Sequence, residues 1–403
     1  MEILYFYRVP VPDPRADAVQ IVNTCAGMAR AGAGVRLHVE TLAAGSVTEC
    51  LAFYGIENPA AGGAGSLDVV PLGTHWSWPM FAWKTRASLA AARAPACLFV
   101  REVRPYVPSL IARAKRRGLK VIFEAHNVSA SLVEEKRARA SDDVAAARLR
   151  ERAAARAQLE RRILAGVDGL VCTQAATLKG LTPLLPPGLP SIVLGNGTRL
   201  APAATSAAGA PRDIDVLYCG SLKPWKGVDG LVAAMKHLPE AKLTILGPST
   251  PSDVERLVTL ARSLGVSERL TILPAVPPSQ VWSFYARARV GVIPLPGAES
   301  VEARDFTSPL KLFEMMAAGL PVVASRLPSL AEYVTDGQEG LLVAPDDSEA
   351  LAAGIRRLLA DAPLRAAMSD AARRRAAEFT WDARGARIVT FAGSLWRAAG
   401  ATQ

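Results

Sequence analysis

Short apolar runs recur along this chain at regular intervals, and stretches with helical spacing of apolar positions separate them. Residues 3–7, 35–39, 97–100, 121–124, 169–172 and 191–194 read as buried strands in the first half. Residues 215–219, 242–246, 270–273, 290–294, 321–324 and 340–343 do so in the second half. Helices are predicted between them, among them 16–30, 107–117 and the long charge-rich span 141–165. Strand, helix and strand at this spacing predict parallel sheets built from βαβ units, because a parallel strand needs a crossover of helical length. After Asn196-Gly197 the chain becomes small, uncharged and proline-punctuated, which reads as a linker. The expected organisation is an amino-terminal Rossmann-like domain over 1–200, a linker over 201–212, a second Rossmann-like domain over 213–378, and a helical segment over 379–403 that packs back across the domains. The fold class is therefore α/β, with two doubly wound domains. Small ligands bind such domains at the carboxyl ends of the strands.

Composition narrows the classes. The 403 residues are half apolar, which excludes a disordered chain, and the glycine and proline content is too low for a collagenous one. The charge-free stretch 315–325 is about half of what a membrane-spanning helix needs. The start, Met1-Glu2-Ile3-Leu4, is acidic and enters a strand pattern at once, so no export signal is expected. The five cysteines, Cys25, Cys50, Cys97, Cys172 and Cys219, show no C-x-x-C spacing and read as buried thiols of a reducing, cytoplasmic compartment. Net charge is +10 and uneven, about +9 over 1–200 and +1 over the rest. Part of the excess lies in Arg113-Ala-Lys115-Arg116-Arg117 and in 134–162. It reads either as solvated helix faces or as attraction to an anion, such as a phosphate-bearing acceptor or the inner face of an acidic membrane touched peripherally. No aromatic interleaving points to nucleic acid.

Two segments carry the chemistry. In Thr307-Ser308-Pro309-Leu310-Lys311-Leu-Phe-Glu314-Met-Met, Ser308 suits an N-cap and Pro309 the first helical position. The helix end they start offers backbone N–H groups and a positive dipole to a diphosphate. Lys311 opposes that dipole unless an anion sits there. Glu314 stands in an otherwise apolar stretch, where burial without donors is costly and ribose hydroxyls would supply them. In Tyr218-Cys-Gly220-Ser221-Leu-Lys223-Pro-Trp-Lys226-Gly227, a strand ends in a glycine-bounded loop with two lysines, which could meet a diphosphate or could be a surface turn. It lacks the Lys-Ser/Thr pair of a Walker A loop.

Together these residues resemble the retaining glycosyltransferases of family 4, of the GT-B fold type, in which two Rossmann-like domains face each other across a cleft. Gly220 to Gly227 is similar to the family's Gly-Arg-Leu-x-x-x-Lys-Gly loop, and 308–325 to its carboxy-terminal Glu-x7-Glu block in the Ser-Pro-Leu-Lys-Leu-Phe-Glu form. Asn196-Gly197 matches the family's Asn-Gly step. The resemblance implies a donor site made by Gly220, Ser221, Lys223, Lys226, Ser308, Pro309, Leu310, Lys311 and Glu314. In it Lys226 holds the diphosphate and Glu314 the ribose. His126, after the strand-like Val121-Ile-Phe-Glu124-Ala125, resembles the family's histidine facing the transferred sugar, which gives His126, Lys226 and Glu314 as the catalytic set. Candidate acceptor-side residues are Arg15, Asp17, Gln20, Trp76, Trp78, Arg101, Glu124 and His126. Arg15, Asp17 and Gln20 equally suit a plain helix-capping loop, and the tryptophans suit core packing or sugar stacking.

Two positions depart from the family pattern: Ser221 replaces an arginine, and Phe306 stands where the first glutamate would. The expected reaction is transfer of a sugar from a nucleotide-diphosphate donor to a hydroxyl acceptor with retention, by front-face attack, with the nucleotide-sugar as substrate and neither cofactor nor metal. The alternative is a catalytically impaired nucleotide-sugar-binding homologue serving as a partner or scaffold subunit. A dinucleotide-dependent oxidoreductase requires a G-x-G-x-x-G after the first strand, and residues 8–20 contain no glycine.

Overall fold

A computed structural model describes residues 1–57, 65–73, 78–200, 212–297 and 300–400. The chain divides into two compact units, Met1–Asn196 with Trp381–Gln403, and Gly197–Thr380. Of the expected linker, only Arg212 lies among the described residues.

The first unit is built on seven parallel strands in the order β3-β2-β1-β4-β5-β6-β7: β1 Glu2–Tyr7, β2 Gly34–Val39, β3 Leu67–Pro71, β4 Ala96–Val100, β5 Lys120–Ala125, β6 Gly169–Cys172 and β7 Ser191–Val193. The second has six, in the order β10-β9-β8-β11-β12-β13: β8 Ile214–Cys219, β9 Leu243–Leu246, β10 Leu270–Leu273, β11 Ala288–Ile293, β12 Val322–Ser325 and β13 Gly340–Val343. Both are doubly wound sheets, each with its strand order reversing beside its first strand. Strands covered on both faces must be apolar on both, which is why they stand out as continuous runs. Ile3, Leu4 and Tyr5 in β1 and Val216, Leu217 and Tyr218 in β8 are fully buried, each contributing roughly 1.5–3 kcal/mol of transfer energy. The cysteines are all buried free thiols.

Three local features differ from the sequence reading. The sequence pattern gave no strand at β3; this edge strand is short and carries Asp68 and Pro71. The charge-rich span 141–165 forms the one helix expected, Asp143–Leu164, with Asp142 capping it by accepting from Ala145 N at 2.7 Å, but a further helix that the pattern did not give, Ser129–Ala138, precedes it. The helix expected to start at Pro309 starts at Leu310. Pro309 takes an extended ψ of 121° and is itself the N-cap, while the Ser308 hydroxyl turns to Tyr333 Oη at 3.4 Å. Ser308 is therefore not the cap.

The Trp381–Gly400 helix packs on the Ala16–Arg30 helix within the first unit. Among the described residues no helix is long and apolar enough to cross a membrane.

Candidate functional site

In the second unit, β8 delivers the chain to Gly220, and a turn of 3-10 helix, Pro224–Lys226, leads into the Val228–Ala234 helix. Gly227 joins the two with φ +74°, and a Cβ there would stand 1.7 Å from Pro294 O. Only glycine allows both the left-handed backbone and that approach, so the loop is held against the end of β11. Lys226 lies with its ammonium 3.8 Å from the centre of the Trp225 ring. Lys311, in the first turn of the Leu310–Ala317 helix, lies with Nζ 4.0 Å from the centre of the Tyr218 ring. A Cβ on Gly220 would come within 3.0 Å of that nitrogen, so the glycine clears the space the ammonium occupies.

The two lysines form the electrostatic core of this site. Lys311 Nζ is buried and, among the described residues, has no hydrogen-bond partner. Among the described residues neither Lys226 nor Lys311 makes an ion pair with a carboxylate. Burial, and then the neighbouring charge of Lys226, lower Lys311 to about 7. Burial lowers Lys226 to about 8, with Glu302 opposing. A desolvated ammonium facing a second cation is costly. An anion with charge on several oxygens offsets the desolvation and the repulsion together.

Glu314, on the same helix, accepts from Tyr285 Oη at 2.8 Å. Burial raises its pKa, while the Tyr285 hydroxyl and the charge of Arg199 hold it back. Arg199 sits 5.7 Å from the centre of the Trp282 ring. Tyr218, Tyr285 and Arg199 are absent from the sequence-predicted set. Tyr218 falls inside the predicted strand 215–219, and Tyr285 and Arg199 lie outside both of the segments that the sequence singles out.

The remaining donor-side candidates are placed as follows. Lys223 bonds Asp253 Oδ2 at 3.0 Å, and that carboxylate caps the Pro251–Ser263 helix, so its ammonium is engaged away from the lysine pair. Ser221 presents its carbonyl to Tyr218 Oη at 2.8 Å. Phe306, where a glutamate would be expected, is buried at the end of the π-helical turn Glu302–Phe306.

A second cluster lies wholly within the first unit. Glu124, near the end of β5, is fully buried. It accepts from Gln20 Nε2 at 2.8 Å, from Tyr5 Oη at 3.1 Å and from the Arg384 guanidinium. Arg384 also bonds Gly195 O at 2.6 Å, and Arg101 Nη1 bonds Gln20 Oε1 at 2.7 Å. Burial alone would raise Glu124, but Arg384, His126 and Arg101 hold it well below the usual carboxylate range. His126 Nε2 stands 3.4 Å from Glu124 Oε1. Burial and the charge of Arg101 lower His126 to about 4, so its imidazole is neutral at pH 7. The fold thus brings together Gln20, Arg101, Glu124 and His126. Asp17 accepts from Tyr7 Oη at 2.7 Å, and Arg15 pairs with Asp13 at 2.9 Å on the surface. Trp76 lies outside the described residues, as does the side chain of Trp78, whose backbone opens the Trp78–Ala91 helix.

This geometry sits in a stretch with known relatives. Residues 206–375 match the family model of the glycosyl transferases group 1. Curated relatives include the D-inositol 3-phosphate glycosyltransferase of Acidothermus cellulolyticus, 32% identical over 245 residues, covering 55% of this chain and 52% of the relative. That of Xylanimonas cellulosilytica is 30% identical over 57% of this chain and 58% of its own. The chain spans about half the length of the curated relatives it matches. Among solved structures, sucrose-phosphate synthase from Thermosynechococcus elongatus superposes with TM-score 0.73 at 19% identity over the whole of both chains. Anabaena Alr3699/HepE, solved in complex with UDP and glucose, gives 0.70 at 15% identity over 98% of this chain and 100% of its own. WaaG, a glycosyltransferase involved in lipopolysaccharide biosynthesis, gives 0.65 at 18%, covering 96% and 98%. At such identities the likeness shows the fold: two Rossmann-like domains of the GT-B type.

Proposed function

We propose that the protein transfers a sugar from a nucleotide-diphosphate donor to a hydroxyl acceptor. The observation that carries this is the buried, unpartnered ammonium of Lys311 beside Lys226 at the mouth of β8. The match to group 1 glycosyl transferases over the same stretch, and the UDP bound in Alr3699/HepE, support a nucleoside diphosphate as the anion that suits this pair.

In this reading the lysine pair and the first N–H groups of the Leu310–Ala317 helix receive the charge that grows on the leaving diphosphate as the glycosyl bond breaks. Preorganised charge, placed where charge develops, stabilises a transition state more than any other single device open to such a site. Glu314 receives the ribose hydroxyls, its own geometry fixed by Tyr285. The first unit supplies the acceptor side, and the neutral His126 is suited to accept or donate a hydrogen bond there without adding charge. We assign retention of configuration by front-face attack, with a phosphate oxygen of the departing diphosphate taking the acceptor proton, as the resemblance to the retaining glycosyltransferases implies. The reaction needs no metal in this scheme, since the cations beside the leaving group are the two lysines.

The test is release of nucleoside diphosphate from a panel of UDP-, GDP- and ADP-sugars by the purified chain. At least one donor should be consumed, slowly with water alone and faster with hydroxyl compounds added. Consumption of none of them, with or without acceptor mixtures, would leave a binding protein and not a transferase.

A further inference from the structure

The first unit holds a cavity of about 350 Å³ between the loop after β4, the end of β5 and the two helices Ser129–Ala138 and Asp143–Leu164. Its wall carries Arg101, Arg104, Lys136, Arg152 and Arg156, with His126 among them. Against these five permanent cations stands one carboxylate, Glu102, whose Oε2 already accepts from Tyr106 Oη. Behind the wall, Glu124 stands 3.4 Å from His126 and offsets the charge of Arg101, and Glu160, which accepts from Ser129 N at 2.7 Å, offsets that of Arg156; Glu134 pairs with Arg137, and Glu135 with Arg139. Among the described residues, Arg104, Lys136, Arg152 and Arg156 make no ion pair, although Arg156 Nη1 donates to Val103 O. The opposite wall is apolar, from Leu132, Val133 and Leu149.

Arg104, Lys136 and Arg152 are left without a carboxylate partner among the described residues, and like charges around one concavity repel each other unless something anionic is recruited. Arginine forks favour oxyanions that accept two bonds side by side, and the excess of two positive charges left when Glu102, Glu124 and Glu160 are set against the five cations favours a dianion over a carboxylate. The concavity is of small-molecule size, and the neutral imidazole of His126 adds no further charge to its wall. We propose that this cavity binds the phosphate of a small phosphorylated hydroxyl compound. Its assignment as the sugar acceptor rests on the transfer reaction above; the anion site itself does not.

The experiment measures thermal shifts and calorimetric titrations of the full chain with inorganic phosphate and glucose 6-phosphate, against chloride at equal ionic strength and glucose. The variants are Lys136→Gln/Arg152→Gln, both exposed and unpaired, and Lys226→Ala, which removes a cation from the second unit. Both phosphates should bind the wild type and Lys226→Ala, and affinity should fall at least about tenfold in the double variant, the loss expected for charge-assisted bonds. Absence of phosphate binding, binding untouched by the double variant, or binding only to phosphatidic acid vesicles and not to soluble phosphates would overturn the proposal. If the phosphates bind here while no nucleotide-sugar is consumed, the transfer reading fails and the anion site stands. If a donor is consumed and the phosphates do not bind, the reverse holds.

Discussion

Lys226→Ala should lower the rate of donor consumption by about 10²–10³-fold, the usual cost of deleting one preorganised group that stabilises charge in the transition state. Its melting temperature should stay level or rise. The two outcomes separate a functional lysine from a structural one. Lys226 makes no ion pair among the described residues, so its loss breaks none. It also removes the cation that, after burial, does most to depress Lys311, so Lys311 should move back toward the ordinary lysine range and hold its proton to a higher pH than in the wild type. That residual charge, with the helix end beside it, is why the loss is partial. Steady-state kinetics and a melting curve on one preparation check both halves. Full activity, or loss of activity that merely follows unfolding, would remove the lysine pair from the mechanism.

The largest effect on stability is expected far from those lysines in the sequence. Arg384→Met should cost about 3–5 kcal/mol, the range for stranding one partner of a buried ion pair. At the size of the first unit this is a drop of roughly 10 °C in melting temperature. The Arg384 and Glu124 side chains are both almost fully buried, and the guanidinium also serves two backbone carbonyls, Leu194 and Gly195. The pH dependence carries the sign. In the wild type, Glu124 is held below its unfolded value, so its contribution is present above the ordinary glutamate range and lost only in strong acid. Without Arg384, burial is the dominant influence, the folded-state pKa rises above the unfolded one, and the variant should regain stability as pH falls toward 5. Glu124→Gln in the same chain should recover much of the loss at pH 7, because two uncharged side chains leave no stranded charge. Equal melting temperatures for wild type and Arg384→Met across this pH range would show that the pair holds nothing in place.

The parts of this molecule that were legible in its sequence are those decided locally. Strands buried on both faces announce themselves as apolar runs, which is why the cores of β1, β2 and β8–β13 fall where the pattern puts them, while β3, with an aspartate and a proline in five edge residues, does not. Lys226, Lys311 and Glu314 were legible as local conflicts: charges in a glycine-bounded loop, at the wrong end of a helix dipole and inside an apolar stretch. Their partners were not. Tyr285 lies 29 positions from Glu314, and Arg384 lies 260 from Glu124, so nothing in the neighbourhood of either acid names its donor. Ser308-Pro309 shows the limit of local rules from the other side. A serine before a proline fits a helix start, yet Pro309 is extended, and the serine hydroxyl finds Tyr333 instead. The cation-lined cavity in the first unit draws on residues from Arg101 to Arg156, which the sequence showed only as scattered basic stretches.

Calorimetric titration of UDP, GDP and ADP, and of their nucleosides, from about pH 7.5 to about pH 8.5 tests the central claim most directly. Over this window the phosphates hold a constant charge and the bases stay neutral, while Lys226, depressed to about 8, loses most of its charge and Lys311, depressed to about 7, loses what remains of its own in the free protein. Binding the anion must then take up protons, and the affinity of the preferred diphosphate should fall by at least about tenfold as pH rises. Its nucleoside should bind far more weakly at every pH. A diphosphate that binds no tighter than its nucleoside, or with an affinity indifferent to pH, would contradict the account.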